Sequence, residues 1–327
     1  MNTSKFIFRK LCTLALIAAF APFTACSANK EASKTVSDST RTIIVGNFSK
    51  ISNHTAAIIH FAYGNKSVKV KDDTNTLAVE VKNGVLQISR NKDFDGNNSS
   101  GSTKGAELWI TNPKLADIEN SAVIDFTSDN LKDDDINIRN YGSANWQINK
   151  IDTESLNFSN YGVSKLICKN ISSNKAGFDN YGVLTISTTV NCKNLQFLNN
   201  GNCSGTISTE CSDANITNAG VLKLQSDIKA KNSQIYSTGI YDSATNVNGD
   251  KLTYTNMGKG NPNIDFNGDE IVITNQGIAD NVITVNCKKL KALNSGLAKM
   301  IIKGTADDTQ FDSTGKANID TRELNKF

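Results

Sequence analysis

The chain has 327 residues, of which 35 are basic and 32 acidic, and 38% are hydrophobic. So balanced a charge gives no electrostatic reason to expect nucleic acid, while the apolar share is ample for a core. Seven cysteines and two histidines, with no C-x-x-C spacing, argue against a disulfide framework or a zinc cage, and neither a metal nor a cofactor is expected.

Residues 1–25 read as a signal peptide. Lys5, Arg9 and Lys10 form a basic start, and Leu11 to Phe23 is an apolar run too short to span a membrane. Cleavage of the A-x-A type after Ala25 is disfavoured by the bulk of Phe23. Phe23-Thr24-Ala25-Cys26 resembles a bacterial lipoprotein lipobox, with Phe in place of the usual Leu. That resemblance implies a lipidated Cys26, which would hold the mature chain to a membrane without a spanning helix. Residues 26–41 are polar and read as a flexible tether. Residues 1–25 hold three basic and no acidic side chains, so the mature chain carries 32 of each.

Residues 42–118 alternate apolar and polar side chains and are expected to form a small antiparallel β region that caps the remainder of the chain. Strands are predicted at 42–45, 56–63, 68–71, 77–81, 85–89 and 106–111. Asn83-Gly84 is a two-residue hairpin signal, since both positions tolerate positive φ. Residues 91–104 read as a loop and Asn112-Pro113 as a turn.

From residue 119 the chain repeats. Gly142, Gly162, Gly182, Gly201, Gly220, Gly239, Gly258, Gly277, Gly296 and Gly315 recur at intervals of 20, 20 and then seven times 19. Six and four residues before each glycine stand two mainly apolar columns, including Ile136, Leu156 and Leu195, and Ile138, Phe158, Phe178, Phe197 and Phe311. A separation of two is that of one strand turning alternate side chains inward. Two residues before each glycine stand Asn140, Asn160, Asn180, Asn199, Asn218, Ser237, Asn256, Asn275, Asn294 and Ser313, with Asn120 one repeat earlier. Stacked turns would align these amides in a hydrogen-bonded ladder, with the asparagines and glycines supplying corner torsions that few other residues adopt. The Leu-x-x-Leu-x-Leu pattern of leucine-rich repeats and a six-residue subrepeat are both missing. The pattern predicts a right-handed parallel β-helix of about ten coils over residues 119–327. After the signal only Pro113 and Pro262 occur, as ladder hydrogen bonding requires.

The order of elements resembles the bacterial head GIN domain family, described as autotransporter-adhesin-like and grouped as a domain of unknown function. The resemblance rests on Ile43-Ile44-Val45 with Phe48 and Ile51, on Leu77 to Ile88, and on Leu108 to Ile118, followed by the coils. Asn120-Ser121-Ala122 stands where the family often has a Gly-rich stretch. The resemblance implies an envelope lipoprotein with a β-helical body and no assigned activity.

Candidate chemistry is sparse. Carbohydrate-active β-helix enzymes need converging carboxylates. Asp242 and Asp280 share a column with Asn261 between them, which separates their backbones by roughly 9–10 Å, loose for a dyad. Asp133-Asp134-Asp135 reads as a solvated corner. Cys192 and Cys211 share a column in adjacent coils, within reach of a disulfide, but read more simply as small thiols packed inward. The best ligand-binding candidate is Tyr141, Tyr161 and Tyr181, one column in three consecutive coils. They read either as an aromatic strip for sugars or a partner's apolar groups, or as rings that support one another. The expected function is a non-catalytic, adhesin-like scaffold of the cell envelope, held to the outer membrane and facing the periplasm or the surface. A carbohydrate-active enzyme or a purely structural envelope protein are the alternatives.

Overall fold

The computed structural model describes residues 40–71, 77–91 and 106–326, and every regular element among them is a β-strand. The signal segment, Cys26 and most of the tether lie outside the described residues. The strands wind into a parallel β-solenoid of about 11 turns, each laid in register on the last. Asn140 stands beside Asn160, Asn160 beside Asn180, Asn180 beside Asn199, and the register continues to Asn294 beside Ser313.

The change of period from 20 to 19 has a visible cause. Where strand Val163–Ser172 pairs with Val183–Asn191, Cys168 faces Thr188 but Ile171 faces Val190. The extra residue is absorbed in a local bulge, and both flanking ladders keep their inward sets.

The N-terminal region is antiparallel in three places and parallel in others. Strands β1 (Thr40–Ile43), β2 (Lys50–Asn53), β3 (Ala57–Tyr63), β4 (Ser67–Lys71), β5 (Leu77–Lys82), β6 (Val85–Arg90), β7 (Ala106–Asn112), β8 (Asp117–Asn120) and β9 (Val123–Asn140) follow in order. β1–β4, β4–β7 and β5–β6 are antiparallel. Asn83 and Gly84, at φ 52° and 73°, close the β5–β6 hairpin as its two-residue turn. However, β2 lies parallel between β6 and β8, and β3 lies parallel between β7 and β9. The β2–β3 segment is therefore itself a coil, wedged between an outer layer and the repeat. The chain passes from β7 to β8 across it, with Asn112 Nδ2 donating to Phe48 O at 2.7 Å. Arg139 ties these layers together through both carboxylate oxygens of Asp117 at 2.8 and 2.9 Å and Glu119 at 3.4 Å.

Both predicted apolar columns are buried through most of the rod, as are Trp146, Leu166, Ile186, Leu224, Phe266, Ile283 and Met300 on the opposite wall. Phe158, Phe178 and Phe197 stack inside at 6.3 and 6.0 Å. Phe311, the last of its column, is half-exposed because the final strand Asn318–Asn325 pairs only with residues 299–305 of strand Lys299–Gly315. Residues 308–315 thus keep a free edge.

The asparagine ladder is continuous over two runs. Nδ2 of Asn53 donates to Oδ1 of Asn120, then Asn120 to Asn140, and so on through Asn160, Asn180, Asn199 and Asn218 to Oγ of Ser237. A second run joins Asn256, Asn275 and Asn294. Each bond points the same way along the rod, so the amide dipoles reinforce one another. The same Nδ2 also reaches carbonyls, as Asn140 does to Gly142 O at 2.9 Å and Val163 O at 3.1 Å. Ser237 is the break, because a hydroxyl is too short to carry the chain on to Asn256. Ser237→Asn is expected to rejoin the runs and stabilise the fold by about 1 kcal/mol, raising the melting temperature by about 2–4 °C. Thermal unfolding followed by circular dichroism checks this, and an unchanged or lower value contradicts it.

The corner torsions differ from expectation. Asn83 is the sole non-glycine with positive φ among the described residues, and none of the repeat glycines from Gly142 to Gly277 has it. Their requirement is steric. A Cβ on Gly162 would sit 2.0 Å from the carbonyl oxygen of Gly142, and one on Gly182 equally close to Gly162 O. The corner is one place where successive backbones come close; Gly249 and Gly268 mark another.

Candidate functional site

The tight corner decides what the flanking residues can do. With the asparagine turned inward and the glycine pressed on the preceding coil, the residues just before and just after the glycine both point outward. Their backbones are fixed from below: Tyr161 N–H donates to Asn140 O at 2.8 Å and Val163 N–H to Gly142 O at 2.9 Å.

Tyr141, Tyr161 and Tyr181 occupy the first of these columns, 50%, 49% and 46% exposed. Their rings are near-parallel, with centroids 5.1 Å apart at 9° and 5.0 Å apart at 3°. Parallel rings so close overlap face on face, as offset stacks do. The inner faces are covered by neighbouring rings, and the strip turns its edges and hydroxyls to solvent. The tyrosines thus support one another while remaining about half exposed.

The second column extends that surface. Val123, Val163 and Val183 stand beside the tyrosines, and Ile240, Met257, Ile278 and Leu297 carry the two columns onward. Of the 13 large hydrophobic side chains exposed among the described residues, these seven and the three tyrosines lie on this one edge. Val163, Val183, Ile240 and Ile278 each directly follow a repeat glycine in the sequence, but strand alternation alone does not mark them as exposed.

The candidate carboxylates serve the backbone. Asp242 Oδ1 accepts from Asn261 N–H at 2.8 Å, and Asp280 Oδ1 from Lys299 N–H at 3.3 Å, so each caps the coil after it. Asp133 is paired with Lys114 Nζ at 3.4 Å. Among the described residues no group of three or more His, Cys, Asp or Glu side chains is placed to hold a metal ion.

Cys192 and Cys211 are free thiols, partly buried and packed against the core, though less enclosed than the buried Cys168, Cys203 and Cys287. They follow directly on the paired residues Asn191 and Glu210, and Cys192 N–H donates to Glu210 O at 3.0 Å. Interaction with the neighbouring thiol lowers Cys211 to about 7, with burial opposing it, and raises Cys192. Burial pushes Cys168 and Cys203 up to about 12. The thiolate is the nucleophile, so iodoacetamide is expected to take Cys211 first, with a rate that rises through about pH 7. Peptide mass mapping of pulse-labelled protein checks this, and earlier labelling of Cys168 or Cys203 contradicts it.

No curated protein matches the chain. Among solved structures, a putative adhesin from Parabacteroides distasonis ATCC 8503 is 14% identical with a TM-score of 0.35, covering 86% of this chain and 95% of that one. A putative adhesin from Bacteroides fragilis NCTC 9343 is 15% identical with a TM-score of 0.30, over the same shares. A putative lipid binding protein from Parabacteroides distasonis ATCC 8503 is 14% identical with a TM-score of 0.29, again over those shares. Likenesses this distant carry no argument about ligand. Residues 47–174 match the family described as putative auto-transporter adhesin, head GIN domain. That stretch runs from the wedged β2–β3 coil through the stacked Tyr141 and Tyr161 and is similar to the head GIN domain family.

Proposed function

We propose that this protein is a non-catalytic, adhesin-like scaffold of the cell envelope that docks a partner along its asparagine–glycine edge. The observation that carries the reading is the concentration of exposed apolar side chains there, from Val123 to Leu297. The run is densest from Tyr141 to Val183 and is interrupted farther on by Asn200, Asn202 and Lys259; exposed apolar clusters of this kind mark interaction surfaces. Because the tyrosine faces are spent on one another, the strip suits the apolar side chains of a partner better than the flat face of a sugar. Cys26 supplies the membrane attachment in this reading. Replacing Cys26 by Ala should release the protein from the membrane fraction, and metabolic labelling with a fatty acid should mark the parent chain alone.

The edge is tested with the purified mature chain on arrays of envelope and matrix proteins and of glycans. The reading expects protein ligands that lose about tenfold or more in affinity when Tyr141, Tyr161 and Tyr181 are all replaced by Ser. Unchanged binding after that replacement makes the strip a structural stack and nothing more.

The free edge of residues 308–315, with Phe311 half-exposed, favours a second reading, in which copies of the chain pack end to end as a structural envelope protein. An unpaired strand edge is a template for further strands. Light scattering over a range of concentrations distinguishes it, since a chain that stays monomeric does not build such an assembly.

A further inference from the structure

A second corner of the rod carries chemistry that the apolar edge does not use. Its column, one residue per coil, reads Cys192, Cys211, Ala230, Gly249, Gly268, Cys287 and Ala306. Only small side chains occur there, because this corner is also tight. A Cβ on Gly249 would lie 1.6 Å from Ala230 O, and one on Gly268 would lie 1.8 Å from Gly249 O.

Cys192 and Cys211 are the one pair of neighbours among the described cysteines. Register holds them opposite each other from both sides, since Asn191 stands beside Glu210 and Asn194 beside Asp213. Cys192 N–H donates to Glu210 O at 3.0 Å, and the N–H groups of Ser212 and Asp213 donate to Lys193 O at 2.9 and 3.0 Å. The other cysteines stand apart. Cys168 faces Thr188, Cys203 lies between Leu184 and Leu222, and Cys287 is four coils beyond Cys211.

Adjacent strands lie about 4.8 Å apart, inside the Cα separation of roughly 4.4–6.8 Å that a disulfide spans. The Cβ atoms must also converge to about 3.8 Å. The corner gives room for that. Strand Val183–Asn191 ends before Cys192 and strand Asn194–Asn199 begins after Lys193, so Cys192 lies outside the regular ladder. Both cysteines are partly exposed and open to a dissolved oxidant, whereas Cys168, Cys203 and Cys287 are buried.

We propose that Cys192 and Cys211 form a redox-active dithiol, which an external disulfide oxidises to a cross-link between adjacent coils. The Cys211 thiolate attacks one sulfur of the external disulfide and expels the other as a thiolate, leaving a mixed disulfide on Cys211. Cys192 then gives up its proton, and its sulfur attacks Cys211 Sγ. The mixed bond breaks and the second external thiolate leaves. Two protein thiols are oxidised, and one external disulfide is reduced to two thiols that take up the two protons. Cys211 goes first because its thiolate is favoured by the neighbouring thiol, while that of Cys192 is disfavoured. The link closes a loop of one coil, which restricts the unfolded chain. The inference stands on this corner and depends on neither the apolar edge nor the membrane attachment.

Incubation of the folded mature chain with excess oxidised glutathione, followed by acid quenching and peptide mapping without reduction, tests it. Trypsin with Glu-C is used, because cleavage at Glu210 separates Cys203 from Cys211. Peptides joined through Cys192 and Cys211 of one chain are expected. Cys192→Ser should instead retain glutathione on Cys211, at about tenfold or more the level in the parent, since no second thiol resolves it. The cross-linked parent should melt about 5 °C above the reduced one. The inference is overturned if the parent forms no such link, if it keeps as much glutathione on Cys211 as the Ser variant, or if Cys211 links to Cys168 or Cys203 instead. A cross-linked parent that melts no higher than the reduced one also overturns it, because the link would then not clamp the coils.

Discussion

Gly162→Ala is expected to be among the more damaging single methyl additions to this protein. The new Cβ would lie 2.0 Å from Gly142 O and 2.7 Å from Tyr141 O. Both atoms are backbone and cannot step aside, because Val163 N–H holds Gly142 O at 2.9 Å. Relief requires separating two coils that meet at a fixed ladder spacing of about 4.8 Å. No unfavourable φ is involved, so the whole effect is overlap. A cost of about 4–5 kcal/mol or more is expected, read as a large fall in the denaturation midpoint or as failure to fold. Gly177→Ala is the control: there a Cβ would meet Asn157 Oδ1 at 3.4 Å and Leu156 O at 3.5 Å, and little should change. Equal tolerance of the two substitutions contradicts the packed corner.

The second large effect is expected at Asn160→Leu. The side chain is fully buried, so volume is roughly kept while the polar partners are lost. Asn140 Nδ2 loses one acceptor at 2.9 Å while keeping the carbonyls of Gly142 and Val163, and Asn180 Oδ1 loses a donor at 2.8 Å. The carbonyls of Gly162 and Val183 also lose a donor. Buried groups left without partners cost about 1–3 kcal/mol each, partly offset by apolar burial, and a net loss of about 3–5 kcal/mol is expected. Asn160→Ser should fall between, because Ser237 already accepts from Asn218 at 3.1 Å in the same column. Urea unfolding curves of the three proteins rank them, and a Leu variant as stable as the parent contradicts the ladder's energetic role.

Much of this fold was legible because every coil repeats the same demand. The apolar columns, the asparagine column and the Asn83-Gly84 turn all follow from local chemistry recurring at one period, and the structure places them accordingly. Asn53 was not legible. It is the first rung, donating to Asn120 at 2.8 Å, but 67 residues separate the two, since the β3–β7 excursion interrupts the period. The glycines were found for an incomplete reason: their spacing is visible in the sequence, whereas the carbonyl of the preceding coil is not. Cys192 and Cys211 share a column with the buried Cys287, yet are only partly buried. The tyrosine column was read correctly as outward, but only ring geometry shows that its faces are covered.

These features have a common root. A coil that brings its corner backbone this close must use glycine, must satisfy the inward carbonyls with an amide, and must turn the two adjoining side chains outward. Stability and surface are thus set by the same four consecutive residues of each repeat. That is why an apolar edge can run the length of the rod without disturbing its core.

The most direct test of this account is hydrogen–deuterium exchange of asparagine side-chain amides, followed by NMR on the purified mature protein. The account predicts that the amides of Asn140, Asn160, Asn180 and Asn199, buried and bonded coil to coil, outlast those of exposed asparagines by orders of magnitude and exchange only when the rod opens. Loss of the ladder signals at the rate of the exposed side chains would contradict it.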